Sequence, residues 1–219
     1  MGYASDFPEE ETPQSPETDR RTGARYVTVM KVGRAIIGER DQLCLIRNFS
    51  AGGLKIDVPQ ELKPDTPITI ELRSDRIMHG TVRWARERDA GIQIDGEVPA
   101  EHLLDNKPPS TLLRIRPRPP RFQRWAAVQI MHEGEEIHST LIDISLQGAC
   151  IETAPIGRKD ERVVLTIAGL PPRSAFVRWA DHGRMGFHFE RPWPFVDLAS
   201  WLEAHDSAPE HVNPPDPAD

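Results

Sequence analysis

A single offset runs through this chain. Thr81-Val82-Arg83-Trp84-Ala85 returns 95 residues later as Phe176-Val177-Arg178-Trp179-Ala180. The same step carries Gly91-Ile92 to Gly186-Phe187, and Asn48-Phe49-Ser50-Ala51-Gly52-Gly53 to Asp143-Ile144-Ser145-Leu146-Gln147-Gly148. It carries Ile68, Ile70 and Leu72 to Val163, Leu165 and Ile167 without insertion. Self-similarity at a fixed period signals a repeated structural unit, so whatever fold one half adopts the other must share.

Each half reads as β. Ile68-Thr69-Ile70-Glu71-Leu72 alternates apolar and polar side chains, the period of a strand with one buried face. Strand-like runs recur at hairpin spacing in the first half, at 26–32, 42–48, 53–58, 68–73, 77–84 and 90–95, punctuated by Gly, Pro, Asn and Asp. The pattern predicts an all-β protein with short helices: two tandem six-stranded barrels, at 20–106 and 118–205, each closed by a C-terminal helix. In the second half Pro194 opens that helix and Phe195, Leu198 and Leu202 line one face, with Trp201 beside it. Pro99 to Leu104 is the shorter counterpart. Strict alternation puts Val82 and Trp84 on one face and Arg83 on the other, so Trp84 and its equivalent Trp179 are expected inside the barrels.

Residues 1–19 carry six acids, no base and three prolines; residues 206–219 carry four acids, no base and four prolines. Such stretches cannot bury enough apolar surface to offset chain entropy, and both are expected to be disordered tails. Without their acids, the net charge of −7 becomes 27 bases against 24 acids over 20–205. That mild excess suits a small anionic ligand and falls short of the basic surplus of a nucleic-acid binder. An RNA-binding barrel is further disfavoured because no aromatic platform is expected on exposed strand positions. Residues 107–117 form a basic, proline-rich linker.

Catalytic and metal signatures are missing. Ser50 lacks a G-x-S-x-G elbow, Gly52-Gly53 is not followed by the Lys-Ser/Thr of a phosphate loop, and the eight histidines show no H-E-x-x-H or paired-Cys spacing. Neither an enzyme nor a cofactor or metal site is expected. Cys44 and Cys150 lie in apolar strand-like runs and read as buried thiols of a reducing compartment. The N-terminus has no apolar leader, and no apolar run approaches the ~20 residues of a membrane span. A cytoplasmic protein without membrane insertion is expected.

Two elements of the first half have the chemistry to hold a guanine nucleotide. Arg20, Arg21 and Arg25 stand where the acidic tail meets the first strand. An arginine fork pairs bidentately with guanine O6 and N7 or grips phosphate oxygens. Asn48, Ser50 and Gly53 stand at a strand end, offering a side-chain carbonyl, a hydroxyl and a backbone that turns sharply. Arg21 and Arg25 in R-x-x-x-R spacing, followed by Asn48, Ser50 and Gly53 in [D/N]-x-S-x-x-G spacing, resemble the PilZ family. More narrowly, Leu43-Cys44-Leu45-Ile46-Arg47-Asn48 has the texture of tandem PilZ proteins of the α-proteobacterial type. The resemblance implies a cyclic di-GMP receptor in which the arginines clamp guanine and phosphate and the Asn48 turn completes the pocket. It also implies a protein partner, of unknown identity, in motility, envelope or biofilm control. The alternative is a degenerate module that binds a protein without nucleotide. In the second half Asp143, Ser145 and Gly148 match the turn, but Arg121 and Arg124 have only R-x-x-R spacing, with Pro120 where the first arginine would stand. A second site there is an open alternative.

Overall fold

The computed structural model describes residues 27–50, 52–73, 76–96 and 119–205. The tails, the linker, the helix expected at Pro99–Leu104 and Arg20, Arg21 and Arg25 lie outside the described residues.

Two closed antiparallel barrels of six strands follow one another. The first comprises β1 (Val27–Ile37), β2 (Arg40–Ser50), β3 (Gly53–Asp57), β4 (Pro67–Arg73), β5 (Arg76–Arg86) and β6 (Asp89–Ile94), ordered β1-β2-β3-β6-β5-β4 and closed by β4 pairing with β1. The second comprises β7 (Phe122–His132), β8 (Glu135–Ser145), β9 (Gly148–Glu152), β10 (Arg162–Ile167), β11 (Arg173–Asp181) and β12 (Arg184–Phe189) in the same topology, closed by β10 against β7. Closure leaves no free sheet edge, which is how a chain this rich in strand avoids edge-to-edge pairing. The predicted strands are present, and the offset of the repeat carries β1 onto β7 as well as β6 onto β12.

Alternation builds both cores. Leu54 and Ile56 of β3, Ile68, Ile70 and Leu72 of β4, and Val82 and Ile92 are buried together; Ala149, Ile151, Val163, Leu165, Ile167, Val177 and Phe187 repeat the arrangement. The helix α1 (Phe195–Ala204) begins after Pro194 and buries Leu198, Ala199, Trp201 and Leu202 in the second core. The Trp201 indole N–H donates to the Ala168 carbonyl at 2.8 Å, so the ring is buried with its polar atom satisfied.

The expectation for the tryptophans is overturned. Each barrel has a register shift in its fifth strand, between Val82 and Trp84 and between Val177 and Trp179. A bulge inserts one residue and reverses which face the following side chains take. Val82 and Val177 therefore point inward, while Trp84 and Trp179 lie outside, 41% and 38% exposed. With Trp125 on β7 51% exposed, aromatic side chains do occupy exposed strand positions, contrary to the reading that disfavoured RNA. Each external indole lies over a glycine of the next strand: a Cβ at Gly91 would overlap Trp84, and one at Gly186 would overlap Trp179. The glycines are thus required by close approach of the ring to the sheet.

The barrels also touch. Leu43 of β2 is buried within the second core, and α1 lies against β2. Arg124 on β7, 8% exposed, reaches the Asp41 carboxylate at 2.8 Å and the Asp41 carbonyl at 3.1 Å. Asp41 also accepts from Arg34 at 2.6 Å, and the Arg34 guanidinium sits over the Phe122 ring. The buried Arg124 is thus compensated by Asp41, which it shares with the half-buried Arg34, itself also paired with Glu71 at 3.2 Å.

Candidate ligand-binding site

The turn between β2 and β3 of the first barrel opens onto a cleft of about 520 Å³. Asn48, Ser50 and Gly53, the described half of the sequence-derived constellation, all line it. They are joined there by Lys55, Arg83, Trp84, Gly91 and Gln93, which the motif did not contain. The register explains the grouping. Asn48 pairs with Lys55, Lys55 with Gly91, and Gly91 with Trp84, a single row across β2, β3, β6 and β5. Lys55 lies between the buried Leu54 and Ile56, so its side chain belongs to the outer face.

The row has one flat apolar wall and a polar remainder. Trp84 presents its indole over Gly91. Arg83 donates to the Gln93 side-chain carbonyl at 2.5 Å and lies 3.7 Å from Asp65. The Lys55 ammonium meets Asp89 at 2.6 Å. Among the described residues lining the cleft there is no carboxylate, histidine or cysteine; they offer hydrogen bonds, positive charge and a stacking surface. A signal for the extra residues was present in the chain. Trp84 and Gly91 recur together as Trp179 and Gly186, and a glycine inside a strand marks a place where something approaches the backbone.

The equivalent row of the second barrel is Asp143, Cys150, Gly186 and Trp179. Its chemistry differs. Arg121 forms a charge-assisted hydrogen bond with Asp143, so two of the five candidate residues of the second site neutralise each other. Ser145 is buried and tied to its own turn: its hydroxyl accepts from the Gln147 and Gly148 N–H groups at 3.3 and 3.2 Å and donates to the Gly148 carbonyl. Arg124 belongs to the contact with Asp41 rather than to this face. A Cβ at Gly148 would meet the Phe187 carbonyl, as one at Gly53 would meet the Ile92 carbonyl, so both glycines serve strand packing.

The two thiols are buried, as expected, but in different places. Cys44 is in the first core, where burial pushes its pKa up to about 12 against a hydrogen bond from the Gly33 backbone. Cys150 lies between the core residues Ala149 and Ile151, on the outer face. Burial and the nearby Asp143 carboxylate raise its pKa, with Arg121 and Arg184 opposing. Among the described residues no group of three or more His, Cys, Asp or Glu is placed to hold a metal ion, and no helix is long and apolar enough to cross a membrane.

Comparison with known proteins follows the same division into halves. The family model of the PilZ domain matches residues 19–106 and again 115–194. Among solved structures, PlzA of Borreliella burgdorferi, determined in complex with c-di-GMP, is 13% identical, covering 80% of this chain and 91% of that one, with a TM-score of 0.32. The inhibitor of motility MotI/DgrA of Bacillus subtilis is 15% identical, covering 82% and 95%, with a TM-score of 0.32. YcgR of Escherichia coli, also in complex with c-di-GMP, is 13% identical, covering 79% and 82%, with a TM-score of 0.32. No curated protein matches the chain. Because the domain pattern matches both barrels and most of the chain, the protein belongs to the PilZ domain family, with two such domains in tandem.

Proposed function

We propose that the chain is a non-enzymatic, cytoplasmic receptor for cyclic di-GMP, that the first barrel takes the ligand, and that the liganded protein acts on a protein partner in motility, envelope or biofilm control. The observation that carries this reading is the cleft itself, where Asn48, Ser50 and Gly53 line one space with Trp84, Arg83 and Lys55. A guanine needs a flat surface and a polar edge; an indole and a carboxamide supply them. A phosphodiester needs donors and positive charge. Arg20, Arg21 and Arg25 precede β1 in the sequence, and the first residues of β1 pair with Phe49 and Asn48 of β2. The PlzA and YcgR structures contain c-di-GMP, which supports the choice of ligand.

The second barrel carries a different role in this reading. Its Arg121–Asp143 pair and its buried Ser145 favour a module that packs on the first barrel and presents an outer surface to the partner. Calorimetric titration of the full chain with cyclic di-GMP tests the assignment. One saturable site and a rise in melting temperature are expected; ligand at 100 times the dissociation constant adds about 2.7 kcal/mol of stability. Absence of both heat and thermal shift would leave the protein-binding module as the function.

A further inference from the structure

The two external rows differ most sharply at their centre. Asn48, Lys55, Gly91 and Trp84 in the first barrel correspond to Asp143, Cys150, Gly186 and Trp179 in the second. The glycine and tryptophan are kept, the amide becomes a carboxylate, and the ammonium becomes a thiol. By formal charge the first row is +1 and the second −1. A dianionic ligand distinguishes such surfaces at short range, because a cation within a few ångströms is worth far more than distant net charge.

The described part of the first cleft contains two cations, and they are not equivalent. Arg83 is engaged by Gln93 and Asp65 on its outer strand position. Lys55 stands in the row itself, between the residue suited to a guanine edge and the glycine that seats the indole. Its ammonium is held by Asp89, which follows the β5–β6 turn and does not line the cleft; the two side chains are 37% and 42% exposed. An exposed pair of this kind contributes little to stability, and its cost of separation is correspondingly small. An ammonium is a compact point charge that donates to phosphate oxygens from many directions.

We infer that Lys55 is a further phosphate-contacting residue of the first barrel, that Asp89 competes with the ligand for it, and that its replacement by Cys150 is one reason the second barrel does not take the ligand. The inference rests on the cyclic di-GMP reading above and adds to it a residue outside the two arginine and turn elements.

The test is a double-mutant cycle in the full chain, titrated with cyclic di-GMP by calorimetry after melting curves establish that each variant is folded. Lys55→Met is expected to weaken binding roughly tenfold, the loss of one charge-assisted hydrogen bond at a partly exposed site. Lys55→Arg, which keeps the charge, stays within about threefold of the parent. Asp89→Asn tightens binding about two- to fivefold by releasing Lys55, and this gain disappears when Asp89→Asn is made in the Lys55→Met background. Unchanged affinity in Lys55→Met overturns the proposal, as does an Asp89→Asn gain of equal size in both backgrounds. A parent chain that binds no cyclic di-GMP at all overturns the reading beneath it instead.

Discussion

The two barrels share a topology, a bulge in the fifth strand and a Trp-over-Gly pair, yet their outer faces have taken different chemistry. In the first, Ser50 lines a cleft; in the second, Ser145 closes its own turn. Asn48 stands beside an ammonium, whereas Asp143 is bound to Arg121. Duplication preserved the residues that hold the barrel shut and let the surface residues diverge. The difference teaches that the turn motif alone does not fix the chemistry of the face that carries it. Asp143, Ser145 and Gly148 match the pattern as well as Asn48, Ser50 and Gly53 do, and the structure ties Asp143 to Arg121 and Ser145 to its own turn.

The comparison can be broken first at the contact between the halves. Arg124→Ala is expected to destabilise the full chain by about 3 kcal/mol in urea denaturation, near the lower end for a broken buried pair because Asp41 keeps Arg34. Val29→Ala, at the equivalent position of β1, should cost about 1 kcal/mol. Equal losses would mean that the inter-barrel pair contributes nothing special. The same contact, with Leu43 inside the second core, makes the full chain the right object for binding studies rather than severed barrels.

At the ligand level, Arg21→Ala or Arg25→Ala should weaken cyclic di-GMP binding by about 1–3 kcal/mol, roughly 5- to 150-fold. Arg121→Ala should leave the affinity unchanged. Calorimetry showing the reverse would move the ligand to the second barrel.

The tryptophans sharpen the contrast further. Loss of base stacking in Trp84→Ala should cost about 1–3 kcal/mol of binding, and Trp179→Ala none, although both uncover a glycine of the sheet. Ligand-induced quenching of indole fluorescence should vanish with Trp84→Ala and survive Trp179→Ala. Ser50→Ala is a smaller change, on the order of 1 kcal/mol of binding, while Ser145→Ala should cost a similar amount of folding stability instead.

Smallest of all is the difference between the thiols. Both are raised above the ordinary cysteine value, so neither should react with a thiol reagent near pH 8 in the folded chain. A raised folded pKa gives stability that is complete below the unfolded value and lost as pH climbs towards the folded one. For Cys44 that window runs from about 9 to about 12. Cys150, on the outer face, should label before Cys44 as pH rises. Faster labelling of Cys44 would place it outside the core.

Read along the chain, the 95-residue repeat, the strand-like runs at hairpin spacing and the grouping of Asn48, Ser50 and Gly53 were all legible. Each depends on local periodicity or on residues only a few positions apart, where the backbone leaves little choice. Three features were decided only in three dimensions. The fifth-strand bulge turned Trp84 and Trp179 outward, because one inserted residue reverses a period-two pattern that the amino-acid string cannot reveal. Strand pairing set Lys55 and Gly91 between Asn48 and Trp84, a row that draws on four strands spread over 43 positions from Asn48 to Gly91 and exists only through register. Packing of one barrel on the other took Arg124 away from its neighbour Arg121 and gave it to Asp41, since a buried guanidinium goes where a carboxylate can compensate it, however far away in sequence that carboxylate lies.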